Sequence, residues 1–178
     1  MSARNYLFSG FGGQGILFIG KFLAYKGLIE DKQVSWLPSY GPEMRGGTAS
    51  CSVIVSDEPV GSPIVSNPDV LIAMNLPSLD RFEDKVVPGG VIFADSTLIE
   101  RKVKRDDVTV YYIPATALAS ENKMPTLANM IIGGKILKVF NEFDEQSVRN
   151  ALGKVISAKH ADMLEVNLKA MQIGADYE

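Results

Sequence analysis

The 178 residues are 46% hydrophobic and 22% charged, which allows one compact domain with a substantial core and excludes a disordered or fibrous protein. The net charge of −3 and a pI near 5.3 argue against a nucleic-acid or anionic-membrane surface, because such surfaces need clustered Lys and Arg. The short run Arg101-Lys102-Val103-Lys104-Arg105 reads as a solvated turn.

The residues after Met1 lead into an apolar, strand-like segment without the apolar core of a signal peptide, and no apolar stretch reaches bilayer length. A cytoplasmic protein without a membrane or nucleic-acid partner is expected. Tyr6–Ser9 reads as the first strand, and Ile16 to Ile29, apolar nearly all round, as a helix packed between two layers. Val34–Leu37 is the next strand, giving a βαβ opening. Ser52–Val55, Val70–Met74, Val91–Ala94 and Val108–Ile113 continue the strands. A short helix is predicted at 77–82, and Pro88-Gly89-Gly90 forms a turn.

The pattern then turns helical. Thr126 is placed to cap a helix running to Phe140, Asp144 caps another, and Leu164, Leu168 and Met171 share one face of the last. Residues 1–178 are thus expected to form a single α/β domain: a three-layer α/β/α, Rossmann-like fold with a largely parallel sheet and a helical C-terminal third.

Two loops stand out. Gly10, Gly12 and Gly15 form G-x-G-x-x-G between the first strand and helix, with Gly13 and Gln14 inside it. Such a loop can cradle a phosphate: Gly10 for the turn, Gly12 for close approach, and Gly15 for packing of the helix on the strand. The second strand, however, ends in Pro38-Ser39-Tyr40 without the Asp or Glu that holds a ribose, and Glu30 and Asp31 come too early. A tight turn and a ligand site both remain open for this loop.

The second loop, Pro38 to Thr48, sets Tyr40, Glu43, Arg45, Gly46 and Gly47 just after a strand end, where open α/β sheets bind ligands and partners. A surface ion pair of Glu43 with Arg45 is the plainer reading. Cys51 is the only cysteine, so the chain closes no disulfide and cannot by itself ligate an iron–sulfur cluster; it reads as a small core residue. His160 reads as a surface residue, and no metal site is assigned.

Together, the loops G-F-G-G-Q-G-I (residues 10–16) and S-Y-G-P-E-M-R-G-G-T-A (residues 39–49) resemble the gamma subunit of the 2-oxoacid:ferredoxin oxidoreductase family, which includes pyruvate, 2-oxoisovalerate and 2-oxoglutarate enzymes. Ser62-Pro63-Ile64-Val65, Pro68 to Asn75, Pro88-Gly89-Gly90 and Ala128-Asn129-Met130 follow in the family's order, extending the resemblance to about Phe140.

The resemblance implies a subunit of an enzyme that oxidatively decarboxylates a 2-oxoacid, joins the acyl group to coenzyme A and passes electrons to ferredoxin. Thiamine diphosphate, Mg and the iron–sulfur clusters are expected on alpha and beta chains, with a delta chain in some assemblies. This chain would hold no cofactor alone and carry no catalytic residue. It would offer the glycine loop (Gly10, Gly12, Gly13, Gln14, Gly15) and Arg45 to coenzyme A, and Tyr40, Glu43, Arg45, Gly46 and Gly47 to a partner or the active-site edge. The wording leans towards 2-oxoglutarate. An indolepyruvate-type small subunit shares the glycine loop and an R-G-G loop, and a free-standing Rossmann nucleotide-binding protein is the other alternative. Asn75 and Asn129, at element boundaries, read as caps.

Overall fold

The computed structural model describes residues 3–40 and 47–178. Six strands form one sheet: β1 (Ala3–Phe11), β2 (Gln33–Tyr40), β3 (Thr48–Ser56), β4 (Val70–Ala73), β5 (Val91–Asp95) and β6 (Thr109–Ile113), in the order β2-β3-β1-β4-β5-β6. β1, β4, β5 and β6 pair in parallel, whereas β3 lies antiparallel to both β1 and β2.

The expected βαβ opening is therefore modified. β2 runs in the same direction as β1 but is separated from it by β3. The short link between β2 and β3 explains this, because a parallel return needs a crossover of about a dozen residues or more.

Side chains alternate across the sheet, so the strands feed two cores. Tyr6, Phe8, Ile72, Phe93, Cys51 and Val53 face the larger core, with α1 (Ile16–Ile29), α4 (Ala128–Val139), α5 (Glu145–Val155) and α6 (Met163–Asp176). Leu7, Leu71, Ala73, Ile92 and Ala94 face the smaller one, closed by Leu79 of α2 (Leu76–Phe82) with Val86 and Ile99. This is the three-layer α/β architecture with a helical C-terminal third.

α4 and α6 touch backbone to backbone. A Cβ on Gly134 would overlap the Met171 carbonyl, and one on Gly174 the Ile131 carbonyl, so both positions require glycine for close approach. The helix predicted from Thr126 has Leu127 as its N-cap, whereas Asp144 caps α5 as predicted, accepting from Ser147 N–H at 2.7 Å. α3 (Ala115–Glu121) lies in a stretch read without a helix.

The Arg101–Arg105 run is not a freely solvated turn. Arg101 donates to the buried Glu83 carboxylate at 2.7 Å and to Asp80 at 2.5 Å, while Arg105 binds Asp107 at 2.6 Å and the carbonyls of Glu83 and Val86. These bonds fasten the connection between β5 and β6 onto the 3-10 turn after α2. Among the described residues, no helix is long and apolar enough to cross a membrane.

Candidate functional site

β1, β2 and β4 end, and β3 begins, at the same edge of the sheet. The glycine loop follows β1 there. Gly10 lies inside β1 rather than in a turn, and its lack of a side chain makes room: a Cβ would fall 2.5 Å from Gln14 Oε1 and 2.9 Å from Met74 Cβ.

The turn itself depends on Gly13 and Gly15, with φ of 96° and 72°, values that favour glycine. Gly15 is also the N-cap of α1. Among the described residues, nothing lies within 4 Å of a Cβ added at Gly13.

Hydrogen bonds knit the loop to its neighbours. Gln14 Oε1 accepts from Phe11 N–H at 2.6 Å, and its Nε2 donates to the Met74 carbonyl, at the end of β4, at 3.1 Å. Gly12 N–H donates to the Gly47 carbonyl at 2.9 Å, joining the glycine loop directly to the second motif. Asn129 Nδ2 donates to the Gly15 carbonyl at 3.1 Å. Asn129 thus braces the glycine loop from α4 instead of capping its own helix, whereas Asn75 does cap α2, accepting from Ser78 N–H at 2.9 Å.

Tyr40 closes β2 with its side chain exposed, and Gly47 stands immediately before β3. Glu43, Arg45 and Gly46 lie outside the described residues. Large apolar side chains gather around the same edge: Phe11, Tyr40, Leu76 and Leu98 are four of the eight left exposed among the described residues. An edge that concentrates exposed apolar groups beside a glycine loop is suited to contact with another molecule.

Beside it, a cavity of about 390 Å³ opens between the starts of α1, α4 and α6, lined by Phe18, Leu127, Asn129, Ile156, His160 and Asn167 among others. At the opposite edge of the sheet, a cleft of about 120 Å³ holds Arg4, Lys26 and Lys32 against Glu142, Glu30 and Asp57. Within it Arg4 pairs with Glu142, Lys26 with Glu30 and Lys32 with Asp57.

Cys51 is buried against α1, and burial pushes its thiol up to about 12. His160 is exposed. No group of three or more His, Cys, Asp or Glu that could hold a metal occurs among the described residues. Sequence reading missed Gln14's bridging and Asn129's bond to the loop. The run of motif residues marks both positions but says nothing of where their amides point.

Residues 5–177 match the family model described as pyruvate ferredoxin/flavodoxin oxidoreductase. The chain is 40% identical over 170 residues to the ketoisovalerate oxidoreductase subunit VorA of Methanothermobacter marburgensis, an alignment covering 95% of this chain and 35% of that one. It therefore spans about a third of that relative's length.

The keto/oxoacid ferredoxin oxidoreductase gamma subunit from Geobacter sulfurreducens superposes with a TM-score of 0.81 at 27% identity, over 97% of this chain and 96% of that one. The structure of 2-oxoglutarate:ferredoxin oxidoreductase from Magnetococcus marinus with 2-oxoglutarate, coenzyme A and succinyl-CoA bound gives a TM-score of 0.87 at 26% identity, over 98% of this chain and 30% of that one. With the motifs side by side at one sheet edge and the match spanning nearly every residue, the chain belongs to the pyruvate ferredoxin/flavodoxin oxidoreductase family.

Proposed function

We propose that this chain acts as the gamma subunit of a 2-oxoacid:ferredoxin oxidoreductase, in a complex that decarboxylates a 2-oxoacid oxidatively, forms the acyl-CoA and reduces ferredoxin. The observation that carries the reading is the Gly12–Gly47 hydrogen bond, which sets the two family motifs against each other at one edge of the sheet.

In this reading the edge faces the alpha and beta chains, joined by a delta chain where the assembly has one, and the reaction's coenzyme A. Gly13 gives close backbone approach, and Tyr40, Glu43, Gly46 and Gly47 meet a partner. Arg45, whose planar guanidinium suits bidentate pairing, takes a phosphate or a partner carboxylate. Thiamine diphosphate, Mg and the iron–sulfur clusters reside on the partner chains. A single buried cysteine with a raised thiol does not fit a cluster.

The proposed substrate is 2-oxoglutarate, favoured by the wording of the motifs and by the Magnetococcus likeness. The 40% identity to a ketoisovalerate subunit supports 2-oxoisovalerate as the second reading. Anaerobic affinity purification of the chain from its own cells, assayed with a panel of 2-oxoacids for coenzyme A-dependent reduction of ferredoxin or a viologen, tests both.

Activity with one oxoacid and co-eluting thiamine- and cluster-bearing chains is the expected result. An inactive chain eluting alone with a bound nucleotide would replace this reading with the free-standing one. Arg45→Ala is expected to raise the KM for coenzyme A or to weaken assembly; no change in either would remove Arg45 from the site.

A further inference from the structure

The cavity of about 390 Å³ between the starts of α1, α4 and α6 differs in kind from the charged cleft at the opposite edge. Phe18, Leu127, Val155, Ile156 and Met163 supply apolar walls, and none of its described lining residues is Lys, Arg, Asp or Glu. Size and lining are those of a small-ligand site. A phosphate or carboxylate would lose hydration there without gaining a fixed cation, so neither the diphosphate of coenzyme A nor the acid group of a 2-oxoacid suits it.

What the walls offer instead is acceptors. Asn129 and Asn167 are 4% and 3% exposed, and each spends its Nδ2 on a carbonyl: Asn129 on Gly15 at 3.1 Å, Asn167 on Met163 at 2.8 Å. The Oδ1 of both is buried and finds no hydrogen-bond partner among the described residues. Buried amide oxygens are nearly always paired, so two unpaired ones on residues of one cavity wall point to donors supplied from outside the chain. The terminal torsion of an Asn side chain is broad, which lets Asn167 turn its oxygen to an entering donor at the loss of one bond within α6. One or two waters of about 30 Å³ each would serve the oxygens yet fill only a small part of the space.

We propose that this cavity binds an uncharged, largely apolar group carrying an N–H or O–H donor, held through the side-chain oxygens of Asn167 and Asn129. Two sources deliver that chemistry: a free small molecule, or a Trp or Tyr side chain of a partner chain, which joins an apolar body to one donor. The site stands on the cavity and its two amides, not on the assignment of the neighbouring edge to coenzyme A.

Indole and 1-methylindole are the probes, since they share one apolar body and only indole has a donor. Each is titrated at millimolar concentration into the full ¹⁵N-labelled chain and its Asn167→Leu variant, followed by NMR. In the wild type the resonances of Phe18, Leu127, Ile156 and Asn167 should move, and indole should bind about tenfold tighter than 1-methylindole. In Asn167→Leu that ratio should fall towards one while 1-methylindole still binds, which shows the cavity intact and isolates the hydrogen bond.

Equal affinity for the two probes in the wild type would overturn the proposal, as would an unchanged ratio in Asn167→Leu or no shift at the cavity residues. Equilibrium dialysis of indole against the assembled complex separates the sources: binding lost on assembly assigns the cavity to a partner side chain, and binding retained assigns it to a free ligand. The free-chain result holds or fails whether or not the complex forms, so it is distinct from a failure of the reading above.

Discussion

Glu83 is a buried carboxylate whose oxygens accept from the Arg101 guanidinium at 2.7 Å and 3.3 Å and from Lys104 N–H at 3.3 Å. Removing it leaves Arg101 its bonds to Asp80 and to the Lys102 carbonyl, and takes away the acceptor of Lys104 N–H. Glu83→Ala is expected to cost about 1–2 kcal/mol in denaturant unfolding. Cys51 offers a second residue-level test. Its thiol donates to the Ile16 carbonyl at 3.5 Å, and burial holds the thiolate back, so iodoacetamide at neutral pH should label it only as fast as the chain opens. A Cβ on Gly20 would overlap Cys51 Sγ. Gly20→Ala should therefore destabilise by about 1–3 kcal/mol, and Cys51→Ala in the same chain should recover about 1 kcal/mol of that, measured as a double-mutant cycle.

At the scale of elements, the contact between α4 and α6 is set by two glycines and not by interlocking large side chains. Gly134→Ala should force the helices apart and cost about 3 kcal/mol or more, read as a lower thermal midpoint. Gly153 in α5 is the control, since it is exposed with nothing within 4 Å of a Cβ, and Gly153→Ala should stabilise by roughly 0.5–1 kcal/mol. The same helices show what sequence reading captures. The six strands and the core faces of α5 and α6 announce themselves through periodicity. α3 does not: its sequence ATALASE carries one large apolar residue and follows a proline N-cap, so neither periodicity nor a capping side chain marks it. The direction of β3 is absent from its own pattern, because alternation is identical for parallel and antiparallel strands; only the short link from β2 discloses it. Gln14 lay within the recognised motif, yet its role depends on Met74, which enters the picture only when β4 pairs with β1.

For the whole molecule, the division between edges matters most. One edge of the sheet gathers the glycine loop, Gly47 and the exposed Phe11, Tyr40, Leu76 and Leu98; the other holds matched ion pairs around Lys26. If partner chains dock on the first edge, a charge placed there should impair assembly without unfolding the subunit. Leu76→Asp is suited to this test, because Leu76 opens α2 and an acidic side chain at a helix start is tolerated. The isolated variant should keep the wild-type thermal midpoint while co-purifying about tenfold less partner, or none.

The antiparallel β3 also has a consequence for how the chain can change over generations. Its nine residues pair continuously with β1, from Ala3 opposite Ser56 to Phe11 opposite Thr48. The strand thus works as a ruler, fixing how far the second motif stands from the glycine loop. An insertion or deletion of one residue within β3 would slide the motif by about 3.4 Å along β1 and turn core side chains such as Cys51 and Val53 towards the opposite face. Length changes should therefore be excluded from β3 and accommodated instead in the exposed connection between β3 and β4, at the far end of the ruler, where they leave the spacing between the two motifs untouched.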